Sequence, residues 1–192
     1  MAKKYEFKPD KPHASFLSKL YLTQKQRKSL LKWVLYGLVL VVLSVLQDVL
    51  LCRVSIFGAT TELVPCGIFL ICLLEGVESG TLFALVAGAL YVFSGSSAGN
   101  HVIVLIPVIG FLVTWLRQSY LQRGFGAAML CTAAAMIVYV LTVFFVSVFF
   151  GLTPISRVGI FALQAALTLV AAPVLYPLLQ LIGKVGGEAW KE

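Results

Sequence analysis

Side chains that carry chemistry are scarce in this chain. Two aspartates, two histidines and one asparagine occur in 192 residues, and only 12% of the residues are charged. Catalysis at membrane depth needs acids, histidines or a nucleophile gathered in a polar pocket. No H-E-x-x-H, C-x-x-C or P-loop pattern is present, and the G-x-S-x-G spacing of Gly95 to Gly99 falls in a flexible Ser/Gly-rich turn. Metal-dependent headgroup transfer needs an aspartate cluster, and intramembrane metalloproteolysis needs paired His and Glu within spans; the sequence has neither. Cys52, Cys66, Cys72 and Cys131 have no metal-ligand spacing. Three of them lie in or beside apolar stretches, where cysteine behaves as a small hydrophobe, and Cys52 is the one placed to react. The expectation is a non-enzymatic protein with no cofactor and no metal.

What the chain has in abundance is apolar surface. Its residues are 60% hydrophobic and its mean hydropathy is +0.97, against about 45–50% apolar and about 25% charged residues in soluble domains. An ordinary water-soluble globule, a disordered chain and a disulfide-stapled secreted mini-protein are excluded. An all-α polytopic membrane protein remains, because helices satisfy their own backbone groups in lipid. Six spans are expected: Trp33 to Leu51, Glu62 to Leu74, Gly80 to Phe93, His101 to Leu116, Ala127 to Phe150 and Val158 to Ile182. The first is about 28 Å long and matches the hydrocarbon core. The second and third are short and form either two crossings or one re-entrant hairpin. Pro107 is expected to kink the fourth span, and Pro173 and Pro177 to break the last third of the sixth.

The +7 net charge is unevenly placed. Nine of the fifteen Lys and Arg fall in residues 1–32, immediately before the first span. That position favours cytoplasmic topology and contact with anionic lipid over nucleic-acid binding, and the long charged region does not fit a cleaved signal peptide. With the N-terminus inside, six spans place thirteen basic residues in the cytoplasm against two, Arg53 and Arg157, outside. Both termini are then cytoplasmic. The expected organisation is a basic segment at 1–32, with a short interfacial helix near Ala14 to Leu22, a six-span domain at 33–183 and a short tail at 184–192. Thr23 to Gln26 reads as a capping box that opens the first long helix.

Few residues stand out as functional candidates. Gly76, Gly80, Ala84 and Gly88 recur every four residues, a small-residue ladder that lets another helix approach closely. Two uses of it are open: packing inside the chain's own bundle, or a face for another protein's membrane helix. A weaker ladder runs Ala127, Cys131, Ala135. Gln47, Asp48, Arg53 and Glu62 form a candidate polar interface at one end of the first two spans. Asp48 either has a function or is an interfacial acid in headgroup water, with Arg53 as a candidate ion-pair partner. Glu75 and Glu78 stand in a cytoplasmic turn, free to meet a basic partner, to meet Arg117 and Arg123, or to remain solvated. His101 reads as interfacial.

Residues 46–100 resemble the bacterial rod shape-determining MreD family. Leu46 and Gln47 match that family's leucine-glutamine near the end of the first span. Ile56, Phe57 and Gly58 match its aromatic-glycine turn, Leu63 the start of its second span, and Gly76, Gly80 and Gly88 its spaced glycines. Thr61 and Glu62 stand where the family has proline and Asn/Asp, and Tyr91 to Phe93 lack its aspartate. The resemblance implies an inner-membrane scaffold subunit of the cell-elongation machinery. The partners it implies are MreC, RodA, a class B penicillin-binding transpeptidase and MreB filaments. It also implies a fold similar to the substrate-binding subunits of energy-coupling-factor vitamin transporters, and membership of that transporter class is the competing reading. Such subunits present alanines on the first span to meet the coupling protein, and Trp33 to Leu51 has none. An ion-coupled transporter would need charges near mid-span, and Asp48 lies too close to a span end.

Overall fold

The computed structural model describes residues 24–53, 58–120 and 124–185. The expected interfacial helix at 14–22, Thr23 of the capping box, Ile56 and Phe57 of the turn, Arg123 and the tail beyond 185 lie outside these residues. The described chain forms six helices: α1 (Gln24–Val45), α2 (Leu63–Glu75), α3 (Val77–Phe93), α4 (Val102–Tyr120), α5 (Phe125–Phe149) and α6 (Val158–Val185). There is no strand among the described residues. Four stretches are long and apolar enough to cross a membrane: Arg27–Val49, Val102–Ser119, Phe125–Phe149 and Ile155–Lys184. The 13-residue α2 and the 17-residue α3 are shorter, about 20 and 26 Å against a hydrocarbon core of about 30 Å.

Burial follows the 3.6-residue period on α1. Lys32, Tyr36, Leu40, Leu43 and Gln47 are buried, while Leu31, Val34, Leu38, Val41, Val42 and Val45 are exposed. Spacings of three and four keep the buried set on one stripe. The stripe continues past Val45 into a π-helical turn, Leu46–Leu50, and a 3₁₀ turn, Leu51–Arg53. Helix α2 has no exposed stripe at all, since Leu63 to Leu73 are buried without interruption. It touches all five other helices, and α1, α3, α4, α5 and α6 ring it. Neighbours in the ring pack closely except α1 and α3, which barely meet. The ring's outer faces carry large exposed apolar side chains on every one of its helices, including Leu85, Phe111, Leu141 and Val174. So much exposed apolar surface fits a membrane protein and not a soluble monomer.

Helix α1 begins at Gln24, within the start expected over Thr23 to Gln26, and Lys32 is a buried part of it. Two expectations need correction. The turn expected to hold both Glu75 and Glu78 contracts to one residue, Gly76, with φ 94° and ψ 178°. A side chain is strained in that left-handed region, so glycine allows α2 to reverse into α3 at once. Helix α6 runs unbroken through Pro173 and Pro177, where a break is expected, and α4 also continues through Pro107. Each proline removes one helical N–H and kinks more than it terminates, because flanking bonds and neighbouring helices hold the segment.

The small-residue ladder serves the bundle's interior. A Cβ on Gly80 would sit 2.8 Å from the Cys72 Cα and 2.9 Å from its carbonyl oxygen, and the Cys72 thiol donates to the Gly80 carbonyl at 3.2 Å. Ala84 is fully buried. Gly110 of α4 completes the junction, where a Cβ would lie 3.2 Å from the Cys72 Sγ. At Gly88 the nearest atom, the Ile106 Cβ, is 3.5 Å away, an ordinary contact. Gly80→Leu is therefore expected to destabilise the bundle by about 3 kcal/mol or more through overpacking, and Gly88→Ala by under about 1 kcal/mol. Unfolding of the purified protein in mixed detergent with increasing SDS checks the contrast.

Candidate functional site

A helix leaves unpaired N–H groups at its start and unpaired carbonyls at its end. Helix α2 is buried at both ends, so the protein must supply the partners, and each comes from a different helix. At its start the Gln47 side chain, from the end of α1, accepts from the Val64 N–H at 3.1 Å and donates to the Tyr91 hydroxyl of α3 at 3.3 Å. The Glu62 N–H donates to the Thr168 hydroxyl of α6 at 3.0 Å, and Gln164 of α6 donates to the Glu62 carboxylate at 2.6 Å. At its other end Arg117 of α4 donates to the Leu73 carbonyl. An acid at the start and a cation at the end also complement the helix dipole.

The Glu75 carboxylate, the last residue of α2, pairs with Lys32 at 2.5 Å and accepts from the Tyr36 hydroxyl at 2.8 Å. This is the one ion pair among the described residues, and both side chains are almost wholly buried. It corrects the expectation that Glu75 is solvated or meets Arg117. Isolated burial of either charge would cost several kcal/mol, and the pairing with a further hydrogen bond offsets it. Trp33 and Tyr36 stack on Phe83 of α3, with centroids 5.4 and 6.1 Å away, which walls off the pair. Glu78, three residues on, is exposed.

At the opposite end Asp48 does not pair with Arg53. It accepts from the Ser96 hydroxyl at 2.5 Å, linking the end of α1 to the loop after α3, and Arg53 is exposed. Glu62 and Tyr139 of α5 stand side by side. The second Glu62 oxygen and the Tyr139 hydroxyl are buried against each other, and the Thr61 hydroxyl and His101 Nε2 are buried with no hydrogen-bond partner among the described residues. Cys66, Cys72 and Cys131 are buried free thiols. No group of His, Cys, Asp and Glu suited to a metal occurs among the described residues.

Two concavities accompany these ends. A groove of about 510 Å³ runs along the thin α1–α3 seam from Trp33 and Phe83 to Asp48 and Ser94. Its floor includes Gly37 and Ser44, and a Cβ on Gly37 would meet nothing within 4 Å. A second cavity, about 670 Å³, opens beside Arg117 between α4, α5 and α6.

Reading the sequence singled out Gln47, Asp48, Glu62, Glu75 and Arg117, and the structure joins four of them to the ends of α2. The ladder residues pack inside, and Arg53 and Glu78 join nothing among the described residues. Lys32, Tyr36, Tyr91, Tyr139, Gln164 and Thr168 are not among the sequence candidates. The signal available for the tyrosines and α6 residues was polarity within apolar helices; Lys32 was hidden in a run of lysines.

Compared with family models, curated proteins and solved structures, the chain has no match.

Two outcomes follow from the capped helix. Gln47→Leu strands the Val64 N–H and the Tyr91 hydroxyl and is expected to cost roughly 1–3 kcal/mol in SDS unfolding. Lys32→Met strands Glu75 and is expected to cost about 3–5 kcal/mol. The double variant Lys32→Met/Glu75→Met is expected to recover most of that loss, giving a large coupling energy in a double-mutant cycle.

Proposed function

We propose that this chain is a non-enzymatic scaffold subunit of the bacterial cell-elongation complex. In this reading it sits in the cytoplasmic membrane with six crossings and both termini in the cytoplasm. It binds MreC and connects it to RodA and a class B transpeptidase, with MreB filaments and anionic lipid on the cytoplasmic side. The observation that carries the reading is the α1–α3 seam. It is the loosest contact in an otherwise closed ring, it is lined by apolar and small side chains, and it runs the length of a short helix. A groove of that kind accommodates a single membrane helix through close packing. The resemblance over residues 46–100 supports the same assignment, because Gln47 ties the first three helices together.

A substrate-binding subunit of an energy-coupling-factor transporter is the second reading, and the buried polar cluster of Glu62, Tyr139, Gln164 and Thr168 is what a polar ligand would engage in it. Its first span lacks the alanines such subunits use.

Co-purification in mild detergent from native membranes, followed by mass spectrometry, separates the two. The scaffold predicts a single-span coiled-coil periplasmic protein with a glycosyltransferase and a transpeptidase. Two ATPases with a helical coupling protein would replace it with the transporter. Gly37→Leu fills the groove where the bundle itself has open space. It is expected to leave stability within about 0.5 kcal/mol of the parent and to abolish recovery of the single-span partner. Undiminished recovery would remove the seam from the argument.

A further inference from the structure

The cavity beside Arg117 lies at the end of α2, where Leu73 and Leu74 line it, and has no part in the scaffold reading. Its other walls are the last turns of α4, the first turn of α5 and the proline-containing part of α6. Thr114, Arg117 and Gln118 line one side, and Phe125, Tyr176 and Gln180 the other. Among the described residues Arg117 is the only charged one lining it, no acid lines it, and Arg117 makes no ion pair. A guanidinium carries five N–H donors in a planar fork, and one of them is committed to the Leu73 carbonyl. Thr114 lies one helical turn before Arg117, so the two side chains share a face. Thr114 is 3% exposed, and its hydroxyl is buried without a partner. An unmet buried hydroxyl is costly, and a guest in the cavity would satisfy it.

The opposite wall is apolar. Phe125 and Tyr176 stack edge to face at 5.1 Å, and Phe125 is half exposed. The same two helices that supply Arg117 and Phe125 also expose Leu112, Trp115 and Leu130. The opening therefore joins a cationic, hydrogen-bonding recess to a surface suited to acyl chains. The volume, about 670 Å³, is in the usual range for a small-molecule site. It lies at the end of the bundle where Lys32 and Lys184 also stand: a Cβ on Gly183 would touch the Tyr36 hydroxyl.

We infer that this cavity is a binding site for the phosphate headgroup of an anionic phospholipid, held by Arg117 and Thr114, with its acyl chains laid along α4 and α5. A planar fork matches phosphate oxygens, and basic recesses between membrane helices recognise such headgroups. The glutamines line the rim and complete the donor set.

The test uses the purified full-length protein, delipidated in detergent, with three probes: dioleoylphosphatidylglycerol, dioleoylphosphatidylcholine and sodium phosphate. Native mass spectrometry reads binding, and thermal unfolding reads the free protein. Phosphatidylglycerol is expected to bind at least about fivefold more tightly than phosphatidylcholine, and sodium phosphate to leave the melting temperature unchanged. Thr114→Val removes a hydroxyl that has no partner in the protein, so the free protein should melt unchanged while phosphatidylglycerol binds about tenfold more weakly. Gln180→Glu, exposed at the rim, should act in the same direction by repelling phosphate. Equal binding of the two lipids, parental affinity in both variants, or an equal response to sodium phosphate would each overturn the assignment.

Discussion

A short helix buried on every side is the constraint from which the remaining structure follows. Helix α2 has no face for lipid or water, so neither can satisfy the backbone groups at its ends. Gln47, Thr168 and Arg117 serve the start and finish of its backbone, and Lys32 with Tyr36 neutralises the acid that ends it. These side chains come from α1, α4 and α6. Capping one helix therefore also fixes the positions of three others around it. The buried ion pair is weak evidence for net stability, because desolvation consumes most of its attraction. Its clearer consequence is register: sliding α1 by one turn along α2 would separate both Lys32 from Glu75 and Gln47 from Val64.

The close approach of α3 and α4 to α2 depends on a different device. Gly76 turns the chain in one residue, Gly80 admits the Cys72 backbone, and Gly110 admits the Cys72 thiol. Spending the small residues on the interior leaves them unable to receive another helix. The loosest part of the ring is then the α1–α3 seam, where Gly37 faces open space. A partner helix seated there would lie against large side chains at both ends and small ones in the middle, and its arrival would not disturb the caps of α2.

The positions of the helices were legible in the sequence to within a few residues, because runs of apolar residues in a membrane protein have one stable solution. The polar residues at α2's boundaries were legible as candidates for the same reason: Gln47 and Glu62 interrupt apolar runs where nothing local requires them. Their partners were not. Lys32 reads as one more member of a basic run, and Glu75 as part of a solvated turn, until the fold brings together residues 43 positions apart. Pro173 and Pro177 read as breaks, since the local rule counts the lost N–H but not the neighbouring helices that hold the segment helical through them.

By itself, then, the sequence determined that this is a helical chain suited to a membrane, and how its basic residues are distributed. Those properties depend on composition and on spacing within one segment. Tertiary structure alone decided which helix is central, that the glycine ladder faces inward, that Lys32 and Glu75 meet, and where a seam and a cavity remain. Each depends on which helix faces lie against each other, and an apolar helix buried on one side has nearly the same sequence signature as one buried on all sides.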